Sequence, residues 1–159
     1  MKITIIHVGS IKEQYLKEAI KEYTKRLSKY SKIEILAVDD EAIKENPSNK
    51  EVSQIKEKEG EKILKILPES SYKIALNLRG IMLSSEELAD KITSILSYHN
   101  AHICFIIGGS LGLGDNVLAK MDYHLCFSKM TFPHQLMQVI LLEQIYRAFK
   151  INHHETYHK

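Results

Sequence analysis

Residues 102–115, HICFIIGGSLGLGD, decide how this chain folds. From His102 to Ile107 the run is almost continuously apolar and rich in β-branched residues, with none of the alternation expected of a strand that has one wet face. That pattern suits a strand covered on both sides, as in a parallel sheet with helices above and below it. Gly108, Gly109, Gly112 and Gly114 follow at once. They fall beyond the carboxyl end of the strand, where open parallel sheets bind their ligands.

Four further runs read as strands: Lys2 to Val8, Ile33 to Val38, Tyr72 to Leu78 and Tyr123 to Phe127. Helical patterns lie between them. In the first, Tyr15, Ala19 and Tyr23 alternate with Leu16, Ile20 and Leu27, leaving lysines and glutamates on the opposite side. A second helix follows the turn-prone Asn46-Pro47-Ser48-Asn49 and runs to the stop at Pro68. The charged stretch Asp39 to Glu61 is the one candidate for a long mobile connection, read as a loop within a domain. A third helix starts at Ser84 or Ser85, with Glu86 and Glu87 near the positive end of its dipole, and continues through Tyr98. The last, from about Pro133 to Ile151, places Leu136, Ile140 and Phe149 with Val139, Leu142, Ile145 and Tyr146. Its apolar surface is wide enough to need covering on two sides, one by its own sheet and one by another subunit, so a dimer is expected. Strands alternating with helices predict an α/β fold with a mainly parallel sheet of about five strands flanked by helices. At 159 residues, one domain spanning residues 1–159 is the expectation.

Composition excludes several classes. Hydrophobic content of 44% with 26% charged residues is ordinary for a globular chain and speaks against disorder or a fibre. The net charge of +2 says little about partners, but its distribution is uneven. Residues 1–70 hold 14 basic and 13 acidic side chains, whereas residues 123–159 hold Lys129, Arg147, Lys150 and Lys159 against Glu143 and Glu155 alone. Five of the eight histidines share that segment, so the cationic, histidine-rich end could meet phosphate, or could simply be a solvated face. Cys104 and Cys126 sit among apolar neighbours and read as buried free thiols. The start, MKITIIHVGSIKEQY, reads as a first strand and not as a signal peptide, and no stretch approaches 18 consecutive apolar residues. A cytoplasmic protein is expected.

Three turns beyond predicted strands invite chemistry: Leu76-Asn77-Leu78-Arg79-Gly80, the glycine loop Gly108 to Asp115, and Phe127-Ser128-Lys129-Met130-Thr131-Phe132-Pro133-His134. The glycine loop is not a P-loop, because Asp115-Asn116 stands where Lys-Ser/Thr would hold phosphates and Mg²⁺. Nor does it match a dinucleotide fingerprint, since Val117 occupies the third glycine position and an aspartate there would repel a pyrophosphate. Glycines after a buried strand still let a flat or bent ligand approach the backbone closely; a tight turn alone would also account for them. The third turn combines apolar walls with backbone hydrogen-bonding groups, a mix that suits a purine ring. In this reading His134 caps the final helix.

The tail holds a competing signal. His154-Glu155-Thr156-Tyr157-His158 spells H-E-x-x-H, which in zinc hydrolases puts two histidine ligands on one helical face with a glutamate to activate water. Only Lys159 follows, so no downstream third ligand exists, and no metal is expected.

Taken together, the three turns and the closing Tyr157-His158-Lys159 resemble the RlmH family of SPOUT-class methyltransferases. The likeness extends over the chain, from Ile5 to Gly9 through KEKEGEKIL, IGGSLGL and FSKMTFPHQLM to EQIYRAFKI and the tail. The resemblance implies an enzyme that transfers a methyl group from S-adenosyl-L-methionine to N3 of a pseudouridine in large-subunit (23S) ribosomal RNA, in the free RNA or in the assembled ribosome. It also implies a homodimer and a C-terminal trefoil knot, which periodicity would not suggest. By the same resemblance Leu76, Gly108, Phe127, Ser128, Lys129, Met130, Thr131 and Phe132 line the cofactor pocket, and Tyr157, His158 and Lys159 face RNA. Asn77, Gly80-Ile81 and Ser10 depart from the acidic residue and lysines common in the family at those places. A SPOUT enzyme acting on transfer RNA, a nucleotide-binding module without turnover, and a zinc hydrolase using the tail are the alternatives.

Methyl transfer onto N3 requires the nitrogen's proton to leave, so a base or a water has to accept it. His158 is the catalytic candidate for that role, and RNA binding or tail anchoring is its other reading. Tyr157 would stack on or hydrogen-bond the target base while Lys159 meets phosphate. Arg147 and Lys150, spaced outward along the last helix, would add phosphate contacts.

Overall fold

The computed structural model describes residues 1–99 and 101–159. Along the chain run β1 (Lys2–Val8), α1 (Gln14–Leu27), β2 (Lys32–Val38), α2 (Asn49–Ile66), β3 (Tyr72–Met82), α3 (Ser85–Tyr98), β4 (His102–Ile107), α4 (Asp115–Leu118), β5 (Tyr123–Cys126) and α5 (His134–Asn152). The strands form one sheet in the order β2-β1-β4-β3-β5, every pair parallel. To reach its place, β5 lies beyond β3, on the opposite side from β4, which immediately precedes it in the strand sequence. This order is compatible with the knotted C-terminal path that the family resemblance implies.

Alternation along each strand sends residues to two cores. Ile3 and Ile5 of β1, Ile103, Phe105 and Ile107 of β4 and Ile74 of β3 meet α1, α3 and α5. Ile6 and Val8, Cys104 and Ile106, and Ala75 meet α2 and α4 on the other face. With both sides covered, β4 has no solvent face, which is why its sequence lacks a polar alternate. Ser84 caps α3 by accepting from the Glu87 amide, while the Glu87 carboxylate accepts from the Ser84 amide. Ser48 caps α2 by accepting from the Glu51 amide, so the connection after β2 is confined to residues 39–48 and does not extend to Glu61.

Three details differ from the sequence reading. Helices α1 and α3, and not the sheet alone, cover much of the wide apolar surface of α5, and Leu141, Leu142, Ile145, Ala148 and Phe149 join one core. Near the start of the helix Leu136 stays exposed and Val139 and Ile140 are half-buried, so part of that surface is left uncovered by the chain itself. Strand β3 runs on to Met82: Leu76 and Ile81 both pair with Leu125, so Asn77 to Gly80 bulge out between them. The four-residue α4 carries too few positions for a helical period to show. No described helix is long and apolar enough to cross a membrane.

Candidate active site

Beyond the carboxyl ends of β3, β4 and β5 lies a cavity of about 610 Å³. All three turns singled out in the sequence contribute to its wall. Leu76, Asn77 and Leu78 come from the β3 bulge, Gly108 to Gly112 from the loop after β4, and Phe127, Ser128 and Met130 to His134 from the segment joining β5 to α5. Leu125, Ile107 and Met137 complete it. Volume and composition suit a ligand with a flat apolar part and a few polar groups.

Local chemistry shapes each wall. The glycine loop folds back on itself: a Cβ at Gly108 would lie 2.6 Å from the Gly112 carbonyl carbon, so only glycine lets the strand end pass this close. The Gly112 amide closes the turn by donating to the Gly109 carbonyl at 3.0 Å. Asn116, where a P-loop would carry its hydroxyl residue, instead donates to the Glu57 carbonyl of α2 at 3.0 Å and holds the loop down. In the third wall the Ser128 hydroxyl accepts from the Met130 amide at 3.0 Å, and the Cys126 thiol contacts the Ser128 carbonyl at 3.1 Å. These bonds bend the segment over the cavity. Asn77 stabilises the bulge by accepting from the Arg79 amide at 3.1 Å.

Of the eight residues expected to line a cofactor pocket, seven line this cavity: Leu76, Gly108, Phe127, Ser128, Met130, Thr131 and Phe132. Lys129 is exposed and absent from the wall. His134 does not cap α5, whose N-cap is Pro133 with no side-chain cap bond; its ring belongs to the cavity wall.

The tail forms a separate constellation. Arg147 lies with its guanidinium carbon 4.8 Å from the centre of the Tyr157 ring, pairs with Glu143, and approaches His158 Nδ1 to 3.2 Å. His158 Nε2 is 2.7 Å from Glu86, at the start of α3. Because arginine can only donate, His158 Nδ1 accepts and its Nε2–H donates to Glu86. Tyr157 donates to Glu143 at 3.1 Å, and burial with that bond pushes its phenol up to about 12. Thus Arg147, Tyr157 and His158 come together, but none of them lines the cavity. Lys150 does not point freely outward: it binds Glu155 at 2.6 Å and is largely covered. Lys159 remains exposed.

The H-E-x-x-H string does not fold as a metalloprotease helix. Helix α5 ends at Asn152, and His154 adopts φ +54°, so His154 and His158 do not share a helical face. Glu155 is taken up by Lys150, Tyr30 and Lys29. Among the described residues no group of three or more His, Cys, Asp or Glu is placed to hold a metal ion.

A parallel sheet with a cavity at its carboxyl ends defines an α/β protein of the kind that binds ligands beyond its strand ends. Solved structures share this fold at low sequence identity. A tRNA (m1G37) methyltransferase from Aquifex aeolicus matches with a TM-score of 0.53 at 10% identity, covering 92% of this chain and 70% of that one. A Legionella pneumophila protein solved in complex with the bound cofactor SAM gives 0.52 at 10% identity, covering 94% and 66%. A family model described as "Predicted SPOUT methyltransferase" matches residues 1–158. Proteins from Clostridioides difficile and Alkaliphilus oremlandii, each named ribosomal RNA large subunit methyltransferase H, are 58% identical over the whole of both chains. One of the same name from Clostridium botulinum is 56% identical over the same extent. The chain belongs to the SPOUT methyltransferase family.

Proposed function

We propose that this protein transfers a methyl group from S-adenosyl-L-methionine to N3 of a pseudouridine in large-subunit ribosomal RNA. One observation carries the reading: the three turns that resemble the RlmH family in sequence form three walls of a single cavity. The cavity fits the donor. Leu76, Leu125, Phe127 and Phe132 supply apolar walls for a purine, the close-packed glycine loop supplies accessible backbone groups, and no wall residue carries a carboxylate. When bound, S-adenosylmethionine supplies a methyl group made electrophilic by its sulfonium sulfur.

This chain's own residues bind and orient. The cavity holds the donor, and the Arg147-Tyr157-His158 group, with Lys159 beyond it, meets RNA, where a stacked tyrosine and cationic side chains are suited to a splayed nucleotide. Leu78 in the bulge, Ile81 and Met82 at the end of β3 and Met130 in the third wall are exposed large apolar residues, a surface suited to cover by a second copy in a homodimer. The ribosome, in the cytoplasm, is the proposed setting.

Calorimetry with S-adenosylmethionine, then methylation of ribosomes from a strain lacking the gene, tests the reading. Binding followed by one methyl group on a large-subunit pseudouridine is the expected result. No binding, or a methyl group restored to transfer RNA instead, overturns it. His158→Ala is expected to weaken RNA binding while single-turnover methylation at saturating RNA persists.

A further inference from the structure

The cavity wall contains one ionisable side chain among the described residues, and it is not in the tail. His134, the first residue of α5, lines the cavity together with residues whose side chains are apolar, hydroxyl or amide. Its Nε2 faces the turn after β1: a Cβ at Gly9 would lie 3.8 Å from it and 3.9 Å from the Asp40 carboxyl carbon. Gly9 adopts φ +82°, so the turn requires a glycine, and the His134 ring and the Asp40 side chain both border the space that a side chain there would fill.

We infer that His134 is the proton acceptor of the reaction, an assignment that rests on the methyl-transfer reading above. The N3–H bond breaks toward the unprotonated ring nitrogen of His134 as the N3–carbon bond forms and the methyl–sulfur bond breaks. The sulfur keeps that bond's electron pair, and the proton leaves His134 for solvent by way of the exposed Asp40 carboxylate. His158 is less suited in this arrangement, because its acceptor nitrogen is occupied by Arg147 and its N–H by Glu86.

The surroundings favour the form that can accept a proton. Burial holds the His134 imidazole below its ordinary value, against the upward pull of Asp40 from the loop after β2. His7 of β1, buried and likewise held low chiefly by desolvation, is further depressed by His134 and supplies no negative charge. A neutral imidazole is also compatible with a sulfonium cation nearby, where an imidazolium would be repelled.

The test is single-turnover methylation of unmodified ribosomes across pH, with donor affinity measured by calorimetry on the same preparations. His134→Gln keeps size and hydrogen bonding without basicity. It is expected to retain donor binding, to slow the chemical step at saturating donor by about 10²- to 10⁴-fold, and to erase the acidic limb of the rate profile. Asp40→Asn, an exposed position, should move that limb to lower pH, because it removes the charge that raises the His134 pKa. An unchanged rate and limb in His134→Gln, or an Asp40→Asn limb that stays in place, overturns the assignment, as does loss of donor binding in His134→Gln, which would make His134 a cofactor ligand. Inactivity of the unaltered protein would instead defeat the methyl-transfer reading itself.

Discussion

The Glu155 carboxylate lies 2.6 Å from the Lys150 ammonium and 2.7 Å from the Tyr30 hydroxyl, so the C-terminal tail is tied both to α5 and to the turn after α1. Lys150, Tyr30 and Lys29 together hold the carboxyl well below its ordinary value, at about 2. A depressed carboxylate contributes stability that is fully present above its unfolded value of about 4.5 and is lost as pH falls toward 2. Tail amides should therefore exchange faster as pH drops through that window, after correction for intrinsic exchange. Glu155→Gln should loosen the tail at neutral pH and remove the dependence, leaving donor affinity unchanged. Hydrogen exchange at residues 153–158 checks both.

Gly108→Ala tests the glycine loop. The added methyl meets backbone and not the end of a flexible side chain, so the loop has to shift. A cost of about 1–3 kcal/mol in stability is expected, as for overpacking elsewhere. A loss of S-adenosylmethionine affinity should accompany it, because the displaced backbone is the cavity wall. Thermal melting and calorimetry read the two effects separately.

Phe105 is fully buried in β4 beneath α3 and α5. Phe105→Ala removes a large side chain from a close-packed site and should cost about 3–5 kcal/mol, visible as a lower urea midpoint. A change near zero would mean that the sheet and its helices are less closely packed than described.

Cys104 is buried under the α2 face, and desolvation pushes its thiol up to about 12. The thiolate is the reactive form, so iodoacetamide at pH 8 should leave Cys104 unmodified in the native protein and label it in urea. Mass spectrometry of the cysteine-bearing peptides distinguishes the cases.

Much of the fold was readable because the period of each segment agrees with its burial. The apolar run of β4 reflects two covered faces, and Ser84 with Glu87 announces the start of α3 through a local bond pattern. The cavity walls were readable for a similar reason: a glycine loop and a proline-stopped apolar turn both follow strands, and the topology gathers strand ends on one edge. Less legible were features that depend on a distant partner. Asn77 to Gly80 became a bulge because β5 pairs on both sides of it, and β5 lies far along the chain. His134 resembled a helix cap because its neighbour is Pro133, and only the approach of Gly9 and Asp40 reveals its position. The terminal H-E-x-x-H had the right letters without the helix that gives them meaning.

Strand and helix identity, the parallel arrangement and the choice of loops for the ligand site follow from short-range pattern, since backbone periodicity and capping act over a few residues. The partners of His134, His158, Lys150 and Glu155 do not, because each is met across gaps in sequence or around a turn whose direction the local residues leave open. Hydrogen bonds form only within a few ångströms, so which histidine borders the cavity and which is held between Arg147 and Glu86 is fixed by packing, not by the order of the letters.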